Sequence, residues 1–401
     1  MMDRWYNWEE VLRLAEGRSI VPFGRGEWLD KLLNYIPLER IPFVLDNNPN
    51  EDNTIEHGLK VMQPDFSATC KDGVLVIITT SSFPAVKKQL LDNGFVEGVN
   101  FCISPSLQSY SVICDVVHHE ADLLFTCSDL NGNGGLYSMA LPTGNIKRYI
   151  GGSCHGLCKI DNDMDAVIND DVGIQIIDWL RGCDESRTIS LPKKSRPHGL
   201  AYNKDKGLFY VAFSGRDSIG IYDTNGAYVN EIGMTTVASN NEGSPQRHIN
   251  DLCYYNGVLY VSMFSLSGNW KRGVYDGGVR AYDVESRSFI GYTDIIRDLW
   301  LPHSPEMING ELHYCDSMRG VVYKGSRVLF EFNGFIRGLD HDGKYYYIGQ
   351  SQHRYIDRRI GTSNNISLDT GIFIADAKTK ATKFYSLSGL VDINNLMVIS
   401  V

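Results

Sequence analysis

Six short stretches decide the fold: Cys154-His155-Gly156-Leu157, Pro197-His198-Gly199-Leu200, Ile249-Asn250-Asp251-Leu252, Pro302-His303-Ser304-Pro305, Ile336-Arg337-Gly338-Leu339 and Ile393-Asn394-Asn395-Leu396. Their second residues lie 43, 52, 53, 34 and 57 positions apart. Each opens a short strand. In the first five repeats a turn and a more apolar strand follow, as at 208–213, 258–264 and 345–349. A third strand often ends in Tyr-Asp or Ala-Asp, as at Tyr222-Asp223, Tyr282-Asp283 and Ala375-Asp376, and a fourth comes after it, as at 228–232. Four strands recurring every 40 to 50 residues or so are the pattern of a β-propeller blade. Residues 111–150 supply a further four-strand unit without the motif, with strands expected at 112–117, 122–127, 135–139 and 145–150. The count is six blades. The last strand, 396–401, either closes the ring beside the first blade or begins an incomplete seventh; closure would remove the open sheet edges.

Before about residue 105 the periodicity differs. Helical spacing of apolar residues at 8–16, 28–35 and 83–93 alternates with apolar runs at 19–23, 41–46, 74–79 and 99–103. The continuous run at 74–79 reads as a strand covered on both faces. The expected organisation is a Rossmann-like parallel α/β domain over 1–105 and an all-β propeller over 106–401. Within the first domain, strand, Gly24-Arg25-Gly26, helix, strand and Asp46 form the skeleton of a dinucleotide crevice. Glycines let backbone approach a pyrophosphate at a helix N-terminus, and Asp46, 20 residues past Gly26, suits a ribose hydroxyl. The third glycine of that fingerprint is replaced by Leu29. Gly24, Gly26 and Asp46 are therefore the expected nucleotide or nucleotide-sugar contacts, against the plainer reading of a tight strand-to-helix turn.

Composition sets the outer bounds. Of 401 residues 43% are hydrophobic and 21% charged, a balance that excludes a disordered chain. The net charge of −10, with no basic block among the aromatics, argues against a nucleic-acid partner. Nine cysteines, an odd number with several in apolar runs, read as free thiols. Residues 1–10 lack the basic and apolar regions of a signal peptide, and no apolar stretch reaches the length of a membrane span. The expected location is cytoplasmic.

In a propeller the first strand of each blade lines the central channel, so equivalent positions form a ring at one mouth. That ring is expected to hold His155, His198, Asn250, His303, Arg337 and Asn394. His155, His198 and His303 could hold a divalent ion such as Zn, Mn or Fe. Arg337 offers a bidentate fork for a carboxylate or phosphate. Asn250 and Asn394 could bond substrate hydroxyls. An unligated histidine, His198 or His303, could serve as a general acid or base. His303 is the favoured residue, because Pro302 and Pro305 stiffen the backbone around it. His248, two positions before Asn250, could reach the same mouth and is a further catalytic candidate, with His198, His303 and Arg337. The plainer alternative is a hydrated channel lining. Gln352, His353 and Arg354 are expected on a loop near the mouth, and Asp129 is read as a turn residue.

Two resemblances bear on these readings. Phe23-Gly24-Arg25-Gly26, Phe43-Val44-Leu45-Asp46-Asn47-Asn48-Pro49, and Gly58-Leu59-Lys60-Val61 with Pro64 resemble the small Rossmann-like module of bacterial polysaccharide-biosynthesis proteins, including sugar dehydratases and sugar acetyltransferases. There the glycine turn and the acid after the second strand commonly face a nucleotide. His248-Ile249-Asn250-Asp251-Leu252, Leu301-Pro302-His303-Ser304-Pro305, Gly310-Glu311-Leu312 with Cys315-Asp316-Ser317, and Gly334-Phe335-Ile336-Arg337-Gly338-Leu339 resemble the motifs of an uncharacterised bacterial β-propeller family. Asp251 and Glu306 depart from the usual glycine and arginine of that pattern. Together the residues and the resemblances lead to an expectation of a carbohydrate-metabolism enzyme. It would belong to bacterial surface-glycan (polysaccharide) biosynthesis or nucleotide-sugar metabolism, and act on a sugar by proton abstraction in an isomerase, epimerase or lyase reaction, with metal assistance if the ring binds one. The alternatives are a non-catalytic propeller that binds glycan or protein, and a lactonase- or esterase-like propeller hydrolase.

Overall fold

The structure is a computed structural model that describes residues 6–66, 73–128, 132–182, 186–234, 247–285, 291–358 and 363–400. Cys70, Cys183 and Asp129 lie outside the described residues. The chain forms two compact units, Met1–His119 and Glu120–Val401.

In the first unit a six-stranded sheet runs in the order Ile55–Glu56, Leu59–Met62, Val44–Leu45, Ser19–Phe23, Val74–Ile78, Phe101–Ile103. All neighbouring pairs are parallel except the edge strand Ile55–Glu56. The central strands are apolar throughout because both faces are covered. Ile20, Leu75 and Ile77 pack into one core, while Val21, Val76 and Ile78 pack into another. Helix Trp8–Leu14 starts in a capping box of Asn7 and Glu10. The stretch 112–117, expected as a strand, is instead part of helix Gln108–Val117. Its valines read as β-formers, but the buried residues Leu107, Gln108, Ser111 and Val116 do not alternate as a strand's would. Gln108 also fastens the chain at Tyr6, accepting its amide at 3.0 Å.

The second unit is a six-bladed β-propeller. Among the described residues there are six four-stranded antiparallel sheets. Five are continuous in sequence, with inner strands Cys154–Lys159, Pro197–Asn203, Ile249–Tyr255, Pro302–Ile308 and Phe335–His341. The remaining blade takes three strands, Ala121–Cys127, Gly135–Leu141 and Asn145–Gly151, from the start of the unit. Its inner strand is Asn395–Ser400. The terminal strand therefore closes the ring inside the first blade, and it supplies the fourth strand that was expected at 112–117. The six inner strands touch one another in a closed circle, which covers the inner edge of each blade.

Five of the six inner strands that carry the repeat motif have a bulge at it. Pro197 pairs with Phe213 and Leu200 with Val211, so one extra residue is inserted at His198-Gly199. The same irregularity recurs at His155-Gly156, Asn250-Asp251, Ser304-Pro305 and Gly338. A bulge re-aims side chains at a sheet edge, here towards the channel. The glycines mark close approach of neighbouring inner strands. A Cβ on Gly199 would lie 2.7 Å from the carbonyl oxygen of Asn250, and one on Gly156 2.5 Å from that of His198. Among the described residues no helix is long and apolar enough to cross a membrane, and seven cysteines are free thiols.

Candidate functional site at the propeller mouth

The bulges bring most of the expected ring together. His155 and His198 stack with ring centroids 4.6 Å apart. His198 Nδ1 lies 3.0 Å from Asn250 Oδ1, and Asn250 Nδ2 lies 2.8 Å from His303 Nε2. His303 Nδ1 faces the carbonyl oxygen of Leu301 at 2.9 Å and Ser317 Oγ at 2.7 Å.

The protons in this chain follow from the acceptors. A carbonyl oxygen only accepts, so neutral His303 carries its proton on Nδ1 and presents a lone pair at Nε2. Asn250 must then turn its NH2 towards His303 and its oxygen towards His198. His198 in turn must donate from Nδ1. One carbonyl thus fixes two histidine tautomers and an amide orientation, and all bonds in the chain run in the same sense, which strengthens each of them. His198 Nε2 is left as a lone pair with no protein partner among the described residues, on a side chain that is partly exposed. Burial holds His198 well below the ordinary imidazole pKa, and the neighbouring His155, His248 and Arg337 push it in the same direction. Burial does the same to His303, with Arg337 adding to it.

His248 stands against this group, its ring 5.9 Å from that of His198. It has a left-handed backbone, φ 53°, and its amide is held by Asp217 Oδ1 at 2.8 Å. Its ring lies 4.4 Å from Phe264 and 4.6 Å from Trp270. It is 8% exposed, and its Nδ1 has no hydrogen-bond partner among the described residues. Burial, with Arg196 and Lys271 nearby, pushes its pKa down to about 3. Phe335 packs on His303 at 5.6 Å, on His353 at 5.8 Å and on Tyr355 at 5.9 Å. The mouth therefore has a polar floor and aromatic walls.

Several expected roles change in this geometry. Asn250 has both amide ends engaged by histidines. His303 is 2% exposed with both ring nitrogens bonded, so it orients Asn250 and does not face the mouth as a base. Arg337 does not present an open fork: its Nε donates to Ser351 Oγ at 3.1 Å, and its guanidinium lies 2.9 Å from Asp392 Oδ1. Asn394 donates to the carbonyl of Cys154 at 2.7 Å and fastens the closing strand. The three-histidine metal set does not fit. Asn250 separates His198 from His303, His155 Nε2 is turned to Asp170 Oδ2 at 3.2 Å, and no group of three or more His, Cys, Asp or Glu side chains is arranged to hold a metal among the described residues.

Sequence reasoning did not pick out Arg196, Asp392, Asp170 or the aromatic walls. Arg354, expected near the mouth, is there, bonded to Asp392 Oδ2.

The glycine turn of the first unit is formed as expected, but its surroundings do not fit a pyrophosphate. Gly24 has φ 116°, and a Cβ there would lie 2.5 Å from Thr80, so glycine is required for packing. The Gly26 amide donates to Glu56 Oε1 at 3.2 Å. Arg25 lies 2.7 Å from Glu51, 3.3 Å from Glu56 and 3.7 Å from Asp46. Glu51 and Glu56 thus bring negative charge to the glycine turn expected to hold a phosphate, and Asp46, expected at a ribose, accepts the Asn48 amide at 2.8 Å.

Residues 196–392 match the model of a family described as Domain of unknown function (DUF4915). That span includes His198, His248, Asn250, His303, Arg337 and Asp392. No curated protein matches the chain. Among solved structures, the chain is similar to a nidogen/laminin complex (14% identity, 70% of this chain and 98% of that chain, TM-score 0.49). It is similar to the same extent to a protein of unknown function from Bacteroides caccae (14% identity, 70% and 98%, TM-score 0.49). A calcium-binding protein, regucalcin, from Agrobacterium tumefaciens is more distant (13% identity, 57% and 73%, TM-score 0.41).

Proposed function

We propose that the propeller mouth binds a small sugar and transfers a proton on it, with His198 as the general base. The observation that carries this reading is the His198–Asn250–His303 chain, which leaves Nε2 of His198 unprotonated beside the mouth. In the reaction, Nε2 takes a proton from a carbon next to a carbonyl or carboxylate, and the electron pair of that C–H bond moves into an enolate. Returning the proton to the other face gives epimerisation; returning it to the former carbonyl carbon, while the proton of the adjacent hydroxyl moves to the former carbonyl oxygen, gives isomerisation. Expulsion of a leaving group by the electron pair gives elimination. As His198 becomes an imidazolium, its Nδ1–H bond to Asn250 strengthens, so the chain favours the charged intermediate state. Trp270 and Tyr355, both half-buried, support a carbohydrate, since aromatic faces beside planar polar groups suit a ring with both apolar and hydroxylated sides.

A propeller that binds the same ligand without chemistry shares the mouth but not the proton transfer, and deuterium separates the two. Incubation in D2O with a panel of sugars and sugar acids should give deuterium incorporation next to the carbonyl or carboxylate of at least one compound, read by NMR. His198→Asn should slow that incorporation at least 100-fold, in line with the usual contribution of a positioned base. Binding that survives with no incorporation in the wild type would support the non-catalytic reading.

A further inference from the structure

The mouth gathers cationic side chains on a chain whose net charge is −10. Arg196 and Lys271 act electrostatically on His248, and Arg337 and Arg354 act on His303. The nearby carboxylates are largely committed to the protein. Asp392 is shared between Arg337 and Arg354, so that trio keeps one net positive charge. Asp217 accepts the amides of Arg247 and His248, and Asp170 faces His155. Arg196 is exposed and has no carboxylate partner among the described residues. Its backbone is nonetheless fixed: φ is 50°, and its carbonyl accepts from the amide and hydroxyl of Ser214 at 3.0 and 2.9 Å. His248 Nδ1 is a buried polar atom without a partner among the described residues, and its ring lies 4.6 Å from that of Trp270, the neighbour of Lys271 in the chain. Such an atom costs free energy unless a ligand completes it.

We infer that the ligand of this mouth carries a carboxylate or phosphate, and that Arg196 and Lys271 recognise it beside His248. The inference rests on the proposed site and names its substrate class. It also answers a difficulty of that proposal. A histidine pushed below its usual pKa is always unprotonated at neutral pH but is a weak base. An anion bound beside it supplies the opposite charge that raises its basicity. The mouth would then be a poor base when empty and a better one when loaded, so the charge on the ligand selects the substrate and activates the residue that acts on it.

The test uses the full chain with 15N-labelled histidine and three probes: inorganic phosphate, D-glucuronate and D-glucose. Saturable shifts of the His248 ring resonances with glucuronate or phosphate, but not with glucose, are the expected result. Glucuronate alone would identify a carboxylate ligand and phosphate alone a phosphorylated one; both outcomes support the inference. Arg196→Gln should weaken the anion at least 10-fold, and Lys271→Gln should weaken it in the same direction. Both changes are at exposed side chains, so folding is retained. Two results would overturn the inference: no response of His248 to either anion, or an anion affinity unchanged in both variants. His198→Asn separates this from the proton-transfer reading, because it should abolish deuterium incorporation while leaving anion binding in place.

Discussion

At the scale of single residues, the mouth is built from histidines kept neutral. For His248 the folded pKa of about 3 lies below the ordinary 6.5 of the unfolded chain. Between those values the unfolded state binds a proton that the folded state does not, so stability falls as pH is lowered through that window. His198 and His303 contribute with the same sign. The protein should therefore lose stability from about pH 6.5 downward, at up to ~1.4 kcal/mol per pH unit for each such histidine. Urea unfolding at pH 6.5 and pH 5 should show His248→Asn flattening this loss by up to ~2 kcal/mol; an unchanged slope would place the proton elsewhere. His155, His198, Asn250 and His303 were legible from the repeat because a shared register carries them. Their partners were less so. The residues two positions before each ring residue are Ser153, Arg196, His248, Leu301, Phe335 and Asp392. They form a second tier that bonds, packs on or charges the first. Of these, only His248 stood out, since the tier keeps its position but not its chemistry. Arg337 was misread for a related reason: sequence shows a fork, and only packing shows Asp392 filling it.

At the scale of an element, the inner strand is the working part, and its glycine is as necessary as its histidine. Gly199 lies where a Cβ would be 2.7 Å from both Asn250 O and Asp251 Cα, atoms of the neighbouring backbone that cannot yield. Gly199→Ala should cost about 2 kcal/mol or more in denaturant unfolding, by overpacking. Gly233→Ala, where an added Cβ meets nothing within 4 Å, should stay within ~0.5 kcal/mol. Equal losses would show that Gly199 is not a spacer. Strand identity was legible from alternation and turns, but the bulge was not, because it depends on pairing with the next strand. The helix Gln108–Val117 shows the opposite failure. Its valines have β-propensity, and the tertiary burial of Leu107, Gln108, Ser111 and Val116 overrides it.

At the scale of the whole molecule, the propeller unit is closed by its last strand. Asn395–Ser400 pairs with Ala121–Cys127, and Asn394 bonds the Cys154 carbonyl across 240 residues of sequence. The period of the repeat was enough to count blades, whereas the choice between closure and a seventh blade required the missing fourth strand of the first blade to be found. Direct contact of successive inner strands lets three blades present His198, Asn250 and His303 to one another, from positions 52 and 53 residues apart. These three side chains form one polarised chain ending in an unprotonated Nε2 on His198. Long-range 1H–15N correlation of the histidine rings at pH 7 tests it most directly. Neutral rings protonated at Nδ1 are expected for both His198 and His303, with the His198 pattern changing in Asn250→Ala. A charged ring, or a proton on Nε2 of His198, would contradict it.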